Sequence, residues 1–577
     1  MSTNSTLVIG LDFGTTFSGV AYCDSTRKTE GSAGVQLIQS WPGMAGMANT
    51  EKVPSRISYG VPPLTLWGNQ IKPNTKTKVH SLMKLKLDET PKKDRRLKYI
   101  LASILGIEGL KMDDTDDEVE DASKPLEKEP VAIVADYLTQ IRKHVYLELS
   151  KIYEGGLFES LQKELVVTVP AVWSERAKDL TLKAVSKADF DVEKILLVTE
   201  PEAAAIYTLK DMKEGPGQDQ IQVGDCFVLC DAGGGTVDLI SYRITQISPV
   251  LKVEEAAIGS GAKCGATEVD RDFLSWLEEK IGPGPYKLIP PNKTCHGSPL
   301  MNAFETAKMH FQGHKEEVQI ALPKECGIED DEALGIEDKQ LTITDVDLKT
   351  MFDRCVNQTL ELIDGQVNAV QNNGHGKPKA NSSSNSTRKP QFPWSAVVRG
   401  AVCRGLEGPQ AGLIAVRLSR RHWGTYASHP WDSRRHNPED IYIDEYSGEK
   451  YAKGQMTWFV AKGERFPESA PKKAAIELCR EFHLDEDRTV GAILVGCDED
   501  SAPSRYAHHS AYNICRVNAN LNDVPESKFI RVKTGLNKAE HYVAEFKLEA
   551  TWSDDRVTWK VIFDGKVYGS TSVSYDA

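Results

Sequence analysis

Long apolar runs are missing from this 577-residue chain, and no stretch approaches the roughly eighteen residues that a membrane-spanning helix needs. The N-terminus, MSTNSTLVIGLDFG, also lacks the basic start and the apolar core of a secretory signal. The eleven cysteines are dispersed and include no Cys-x-x-Cys pair, which is typical of a reducing compartment. We therefore expect a protein without a membrane span that resides in the cytoplasm, with the nucleus as a second location.

Positive charge is also scarce relative to negative charge. The chain has 70 lysines and arginines against 83 acidic residues, a formal net charge of −13, so no basic surface for nucleic acid is expected. The densest charge run, residues 113–121 (DDTDDEVED), is acidic and predicts a solvated loop. The length predicts more than one domain.

Two glycine-rich turns repeat one design at distant points of the chain. The apolar run LVIGLD ends in Asp12 and is followed by GTT and a second apolar stretch. The run CFVLCD ends in Asp231, 219 residues after Asp12, and is followed by GGGT and another apolar stretch. This order predicts a β-hairpin in each place, and the repeat indicates a motif used twice with a domain's length of chain between the copies.

Such a hairpin has the chemistry to hold a nucleotide. Glycines let backbone N–H groups approach phosphate oxygens closely, and an aspartate just before the turn suits a hydrated Mg²⁺. One Asp-Gly turn alone is usually only a turn. Two of them, facing each other, would grip a triphosphate and its metal from both sides, so we predict that the hairpins at Asp12 and Asp231 meet at one site.

Four segments, in chain order, carry a resemblance to a known family: VIGLDFGTTFSGVAY, TVPAVW, VTEPEAAA and LCDAGGGTVDL. Over about residues 7–407 the chain resembles the nucleotide-binding domain of the 70-kDa heat-shock chaperones, and still more closely their divergent 12A-type, actin-like ATPase relatives. The resemblance implies an α/β actin-like ATPase fold over residues 1–412, with two lobes built on ribonuclease H-like repeats. It also implies ATP or ADP and Mg²⁺ as ligands.

The resemblance also implies a role for each residue that matches a family motif. The catalytic set is Asp12, Lys84, Glu200 and Asp231, in which the two aspartates hold the metal through water and Glu200 orients a water molecule. Lys84 is preferred over Lys86 as the lysine near the γ-phosphate. The nucleotide would be bound by the two phosphate loops and by a set near the adenosine, namely Gly14, Thr15, Thr16, Gly233, Gly234, Gly235, Thr236, Gly265, Glu305 and Lys308.

One stretch departs from the family pattern. A strand that ends in a Gly-Gly turn is expected before the small-residue helix at residues 394–406, but residues 374–390 (GHGKPKANSSSNSTRKP) are polar and favour a flexible loop. Two explanations are open. The chain is a genuine degenerate ATPase with impaired adenosine binding, or a gene model or splice form has lost a short segment. The two intact hairpins slightly favour the second.

The pattern changes near residue 413, where short alternating apolar stretches begin. Strands are predicted for residues 456–460, 492–495, 512–517, 542–548 and 557–563, and Asp564-Gly565 predicts a hairpin after the last of them. One helix is predicted for residues 471–482. We interpret residues 413–577 as a separate β-rich domain, built as a sandwich.

Together these observations favour a chaperone-like molecular switch of the 70-kDa heat-shock type, which binds ATP and slowly hydrolyses it to ADP and phosphate. The β-rich domain would bind a protein or peptide client, and a co-chaperone is a further expected partner. The first alternative is a nucleotide-regulated scaffold or pseudo-ATPase. A small-molecule kinase of the same superfold is less favoured, because no motif for an additional catalytic base is found.

Overall fold

A computed structural model gives the structure of the chain. It describes residues 5–44, 50–60, 65–72, 75, 77–88, 128–171, 173–214, 222–248, 251–313, 317–378, 390–407, 413–467, 472–533, 540–552 and 557–572. The chain divides into two compact units, of which the first comprises residues 1–221, 227–240 and 259–408. The second comprises residues 222–226, 241–258 and 409–577, and thus includes two short segments from before the domain boundary predicted at residue 413.

A mixed sheet organises the N-terminal part of the first unit. Its strands run in the order β3 (Gln36–Leu37), β2 (Phe17–Asp24), β1 (Thr6–Phe13), β8 (Gln162–Val169) and β9 (Lys194–Thr199). β1 and β2 form the antiparallel hairpin that the sequence predicts, with Asp12 opposite Gly19. β8 pairs parallel with β1, and β9 pairs parallel with β8. A further short strand, β4 (Val53–Pro54), pairs with β2.

Apolar sequence accounts for the burial of this sheet. β1 and the second half of β8 are mostly apolar, and both strands are buried along most of their length, which is the pattern of central strands in a sheet with parallel pairing. The helix Glu175–Lys187 begins where the sequence predicts, because Oγ of Ser174 accepts a hydrogen bond from the N–H of Ala177 at 3.2 Å. The helix Pro130–Ile152 contributes Tyr137 and other side chains to the same core.

A helix of small residues, Ala396–Glu407, packs closely on this sheet and on the helix Glu200–Glu214. A methyl group on Gly10 of β1 would stand 2.8 Å from a backbone carbonyl oxygen of the small-residue helix. A methyl group on Gly400 would overlap the carbonyl oxygen of Ala203. Glycine at both positions lets the backbones approach, and the sequence prediction of a small-residue helix here is confirmed.

The second glycine-rich hairpin joins β10 (Cys226–Ala232) to β11 (Val237–Gln246), and β12 (Lys252–Ala262) follows. Each of these strands contributes residues to both units. Among the described residues β10 pairs only with β11, and most of its residues are half-buried or exposed, whereas β1 is flanked on both sides and buried. Most of the loop predicted for residues 374–390 lies outside the described residues, as does the acidic run 113–121.

Short sheets and further helices complete the described part of the first unit. One three-stranded sheet has the order β6-β5-β7 and another has the order β13-β15-β14. Their strands are Ile57–Tyr59 (β5), Thr65–Trp67 (β6), Val79–His80 (β7), Val318–Ala321 (β13), Ile336–Glu337 (β14) and Gln340–Ile343 (β15). The remaining helices are Leu157–Ser160, Thr267–Ile281, Pro283–Lys287, Pro291–Thr294, Pro299–His310 and Asp345–Asn372. Of the helices in the described residues, none combines the length and apolar character that crossing a membrane requires.

Two five-stranded sheets form most of the second unit. The first has the order β18 (Ile441–Ile443), β19 (Lys450–Val460), β17 (His422–Pro430), β22 (Thr489–Cys497) and β23 (Tyr512–Asn520). The second contains β21 (Lys472–His483), β25 (Glu540–Trp552), β26 (Val557–Phe563) and β27 (Lys566–Ser572), and β24 (Ile530–Lys533) also pairs with β25. In addition, β12 pairs with β16 (Ile414–Leu418), which pairs with β20 (Arg465–Pro467).

The two five-stranded sheets share one hydrophobic core. Leu494 and Val517 come from the first sheet, while Phe546 and Trp559 come from the second, and all four side chains are buried. Side chains from two facing sheets in a single core are the arrangement of a β-sandwich. The five strands that the sequence predicts in this region are all present as strands.

The helix predicted for residues 471–482 is wrong, because the structure has strand β21 there. β21 pairs with β25 along its whole length, and Ile476, Leu478 and Phe482 are less exposed than their intervening neighbours. This spacing follows the two-residue period of a strand. The stretch is rich in residues that favour helices, but pairing with a long neighbouring strand overrides that weak local preference.

Candidate nucleotide site

The two glycine-rich turns meet within the first unit. A methyl group on Gly234 would stand 2.5 Å from Oγ1 of Thr16, and one on Gly235 would stand 2.8 Å from Oγ1 of Thr15. Gly14 is equally constrained, because a methyl group there would overlap a carbonyl oxygen of its own hairpin. No side chain fits at these glycines unless the neighbours move. The two turns that the sequence predicts to face each other therefore do so in the structure.

Hydrogen bonds hold the second turn against the beginning of the helix Thr267–Ile281. The N–H of Ala266 donates to the carbonyl oxygen of Gly233 at 3.0 Å. The N–H of Thr267 donates to the carbonyl oxygen of Gly234 at 2.8 Å. Gly265 is part of the same contact, since a methyl group on it would stand 2.6 Å from the carbonyl oxygen of Gly233. Gly265, which is predicted to line the nucleotide, thus lies directly beside the second turn.

Asp12 lies at the end of β1 and is 4% exposed. Its Oδ1 accepts a hydrogen bond from Oγ1 of Thr168 at 3.0 Å, and its Oδ2 accepts one from Nζ of Lys52 at 2.7 Å. Burial by itself would raise the pKa of Asp12, but the ammonium groups of Lys52 and Lys84 outweigh it and hold the pKa below the ordinary value. Asp12 is therefore a stable anion with a cation beside it.

Lys84 and Glu200 form a second buried contact between a lysine and a carboxyl group. Lys84 lies on the 3-10 segment Met83–Leu87, and its Nζ donates to Oε1 of Glu200 at the beginning of a helix. The same Nζ stands 5.5 Å from the ring centroid of Trp173, within the range of a cation–π contact. Lys84 therefore lies beside Glu200, and the choice of Lys84 over Lys86 as the lysine near the γ-phosphate stays a prediction.

Burial, together with neighbouring carboxylates, raises the pKa of two acids in this site. Burial, with a contribution from Asp238 and then from Asp12, raises the pKa of Asp231 to about 7. Burial raises the pKa of Glu200 to about 8, although Lys84 acts in the opposite direction. Perturbed acids that lie together are typical of sites that bind charged ligands or transfer protons. Here the crowding favours the entry of a positive charge.

Two of the residues predicted for the adenosine end, Glu305 and Lys308, lie on one helix and face an aspartate of a second helix. On the helix Pro299–His310, Lys308 is 8% exposed at its side chain, and its Nζ lies 2.6 Å from Oε2 of Glu305. The same Nζ donates to Oδ1 of Asp270 at 2.7 Å, on the helix Thr267–Ile281. Burial lowers the pKa of Lys308, but Asp270 and Glu305 outweigh it and raise that pKa. Lys308 is therefore a buried cation between two carboxylates, and it does not form only a surface ion pair with Glu305.

Four residues of the site were missed by sequence reasoning. Thr168 and Asp238 lie inside the motifs TVPAVW and LCDAGGGTVDL, so their place in these motifs was the signal that could have identified them. Asp270 lies five positions after Gly265, on the helix Thr267–Ile281. Lys52 carried no local signal, because its contact with Asp12 joins residues forty positions apart.

The donor set fits a hydrated magnesium ion. Carboxylate oxygens are the ligands that Mg²⁺ prefers, and the ion usually keeps several waters when a protein binds it. Asp12, Asp231, Asp238 and Glu200 act on one another electrostatically in this site. In the described part of the chain, no three side chains of the types that bind metals lie close enough to ligate one ion directly.

Comparison with known proteins agrees with this geometry. Residues 100–371 match the family described as "Hsp70 protein". "Heat shock 70 kDa protein 12A" from Homo sapiens is 24% identical over 361 residues, which is 52% of this chain and 50% of that protein. These matches support a divergent, 12A-type member of the Hsp70 superfamily. Residues 417–575 match a different family, "Domain of unknown function (DUF8568)".

Other relatives support the same assignment over shorter stretches. "Heat shock 70 kDa protein 12B" from Homo sapiens is 26% identical over 243 residues, or 33% of this chain and 35% of that protein. "Chaperone protein HscA" from Proteus mirabilis is 32% identical over 169 residues, or 28% of this chain and 24% of that protein. The chain thus spans at most about half the length of these curated relatives. The chain therefore combines a region similar to Hsp70 proteins with a strand-rich C-terminal region that matches a second family.

Proposed function

We propose that the first unit binds ATP with Mg²⁺ and hydrolyses it slowly, and that the chain acts as a chaperone-like switch. The observation that carries the proposal is the close approach of the two glycine turns, with Gly234 against Thr16. Two such turns, each preceded by an aspartate, suit a triphosphate and its metal, since phosphate transfer depends mostly on positioning and charge. The two-lobed, ribonuclease H-like arrangement of the actin fold is part of the same proposal.

Each predicted residue has a role in this proposal. Backbone N–H groups of the two turns, with the threonine hydroxyls, bind the phosphates. Asp12 and Asp231 hold the water shell of the metal, Lys84 approaches the γ-phosphate, and Glu200 orients the attacking water. A bound Mg²⁺ would neutralise charge on the phosphates. Near the adenosine, the proposed contacts come from Gly265, Glu305 and Lys308.

The second unit is the proposed client-binding part. β11 and β12 each contribute residues to both units, so nucleotide-driven movement of the second turn would pass along continuous strands. A protein or peptide client and a co-chaperone are proposed because HscA, which is named a chaperone, is among the relatives. No disulfide joins any of the eleven cysteines within the described residues. A reducing compartment such as the cytoplasm is the proposed location.

A second candidate is a nucleotide-regulated scaffold that binds nucleotide but does not turn it over. The observation in its favour is the pair of protein donors, Lys52 and Thr168, that already occupy both oxygens of Asp12. Among the described residues, β10 also has a partner on one side only, which leaves the strand before the second turn less supported than β1.

Calorimetry combined with phosphate release separates these functions. The full chain is titrated with ATP and with ADP in Mg²⁺, and phosphate release is followed alone and with an unfolded client protein. Binding with slow turnover that the client accelerates supports the chaperone, whereas binding without turnover supports the scaffold. Thr15→Ala should weaken ATP binding while the urea midpoint stays close to that of the wild type. Absence of binding in the wild type would overturn both functions.

A further inference from the structure

The side chain of Lys52 runs through space that a neighbouring glycine leaves free. A methyl group on Gly19 would stand 3.2 Å from Cγ of Lys52, and Gly19 is the residue opposite Asp12 in the β1–β2 hairpin. The stem of the lysine therefore passes over a residue without a side chain, and its Nζ ends 2.7 Å from Oδ2 of Asp12. The same Nζ stands 5.1 Å from the ring centroid of Trp394, which places the ammonium group in cation–π range.

Backbone contacts fix the segment that carries this lysine. Val53, the next residue, pairs with Ser18 of β2, and Oγ1 of Thr50 donates to the carbonyl oxygen of Lys52 at 2.8 Å. The side chains of Lys52 and Asp12 are only 12% and 5% exposed. Burying two charges is costly unless they are paired in good geometry. This ion pair is therefore a specific feature of the site and not a chance contact between surface side chains.

Lys52 is positively charged and contacts Asp12, and the metal that the proposed function needs would also be positively charged and lie near Asp12. Both oxygens of Asp12 already accept a hydrogen bond, one from Thr168 and the other from Lys52. A hydrated Mg²⁺ that approached Asp12 would lie close to Nζ and would be repelled by it in a poorly solvated site. Lys52 must therefore move away from Asp12 when the metal enters, and the phosphates of a nucleotide offer it another anionic partner.

We propose that Lys52 is a built-in cation of the phosphate site, which competes with Mg²⁺ for Asp12 and binds the phosphates when a nucleotide enters without metal. This inference rests on the proposed nucleotide binding and makes it more specific. Its consequence is that ADP and ATP bind with weak dependence on Mg²⁺. Lys52 acts here as a binding and positioning residue, and no step of hydrolysis is assigned to it.

The test compares ADP binding in EDTA and in saturating Mg²⁺, by calorimetry on the full chain. Lys52→Met keeps the length of the side chain and removes the charge, so it should weaken ADP binding in EDTA about tenfold or more while binding in Mg²⁺ changes little. Lys52→Arg, which keeps the charge, should retain binding in EDTA. Lys86→Met is the matched control, because Lys86 is a half-buried lysine near the site without a contact to Asp12 in the described structure. An unchanged ratio of the two affinities in Lys52→Met would overturn the inference.

Melting in Mg²⁺ without nucleotide gives a second readout that does not depend on nucleotide binding. If Lys52 competes with the metal, Mg²⁺ should raise the Tm of Lys52→Met more than that of the wild type or of Lys86→Met. Equal shifts in all three proteins would show that Lys52 does not compete. If the wild type binds no ADP with or without Mg²⁺, the proposed function fails, and the melting experiment still decides the competition at Asp12. Circular dichroism of each variant establishes that it is folded.

Discussion

We expect the nucleotide-free protein to become less stable as the pH rises above neutral, and we expect Glu200→Gln to reduce this decrease strongly. The pKa of Glu200 is raised from an ordinary 4.5 to about 8. Between these values the folded state keeps a proton that the unfolded state has released, so folding is stabilised at low pH and this contribution is lost as the pH rises through the folded pKa. From about pH 6 to about pH 9 the free energy of unfolding falls by about 3 kcal/mol, which corresponds to the release of one proton over roughly two pH units. Glutamine resembles the protonated acid and cannot release the proton.

Urea unfolding at several pH values, followed by far-UV circular dichroism, measures this effect. The free energy of unfolding of the wild type should fall between about pH 6 and about pH 9, and the fall should be smaller by about 3 kcal/mol in Glu200→Gln. Asp231, with a pKa raised to about 7, contributes in the same direction and keeps some slope in the variant. Asp353→Asn, which changes an exposed carboxylate paired with Lys349, is the control and should keep the full slope. A variant at Glu200 that loses stability as steeply as the wild type would refute the reasoning.

Two further variants test the turns and the sandwich. Gly234→Ala should lower ATP affinity about tenfold or more by calorimetry, with a small change in the urea midpoint, because the added methyl group forces the two turns apart. Unchanged affinity would mean that the phosphates bind elsewhere. Trp559→Ala should destabilise the second unit by about 3–5 kcal/mol, since this side chain is 1% exposed in the shared core, and ATP affinity should stay as in the wild type. Loss of ATP binding together with the sandwich would show that the units do not fold independently.

The parts of the site that local sequence determines were predictable. A glycine turn between two apolar runs determines its own hairpin, because the strands and the turn are adjacent in the chain. Both hairpins appear where the patterns indicate. The meeting of Gly234 with Thr16 was predicted only because the motif occurs twice, and a single copy would have had no expected partner.

Contacts between distant residues were not predictable in the same way. Lys52 reaches Asp12 across forty positions, and Asp270 reaches Lys308 across thirty-eight. A lysine before a short strand looks like a solvated side chain until the fold brings a buried carboxylate to it. The error at β21 has a related cause, since only its pairing with β25 decides against a helix.

The two aspartates of the repeated motif differ because their strands have different surroundings. β1 has pairing partners on both sides, and Asp12 at its end lies against Lys52 and Thr168, so its pKa stays below the ordinary value. β10 pairs on one side only within the described residues, and burial beside Asp238 raises the pKa of Asp231 to about 7. Near neutral pH, Asp12 is therefore always charged, while Asp231 holds a proton part of the time. On the proposed function, a hydrated metal that enters the site would gain the Asp231 carboxylate by displacing a proton and the Asp12 carboxylate by displacing Lys52. The two copies of the motif would thus hold the water shell of the metal in different ways.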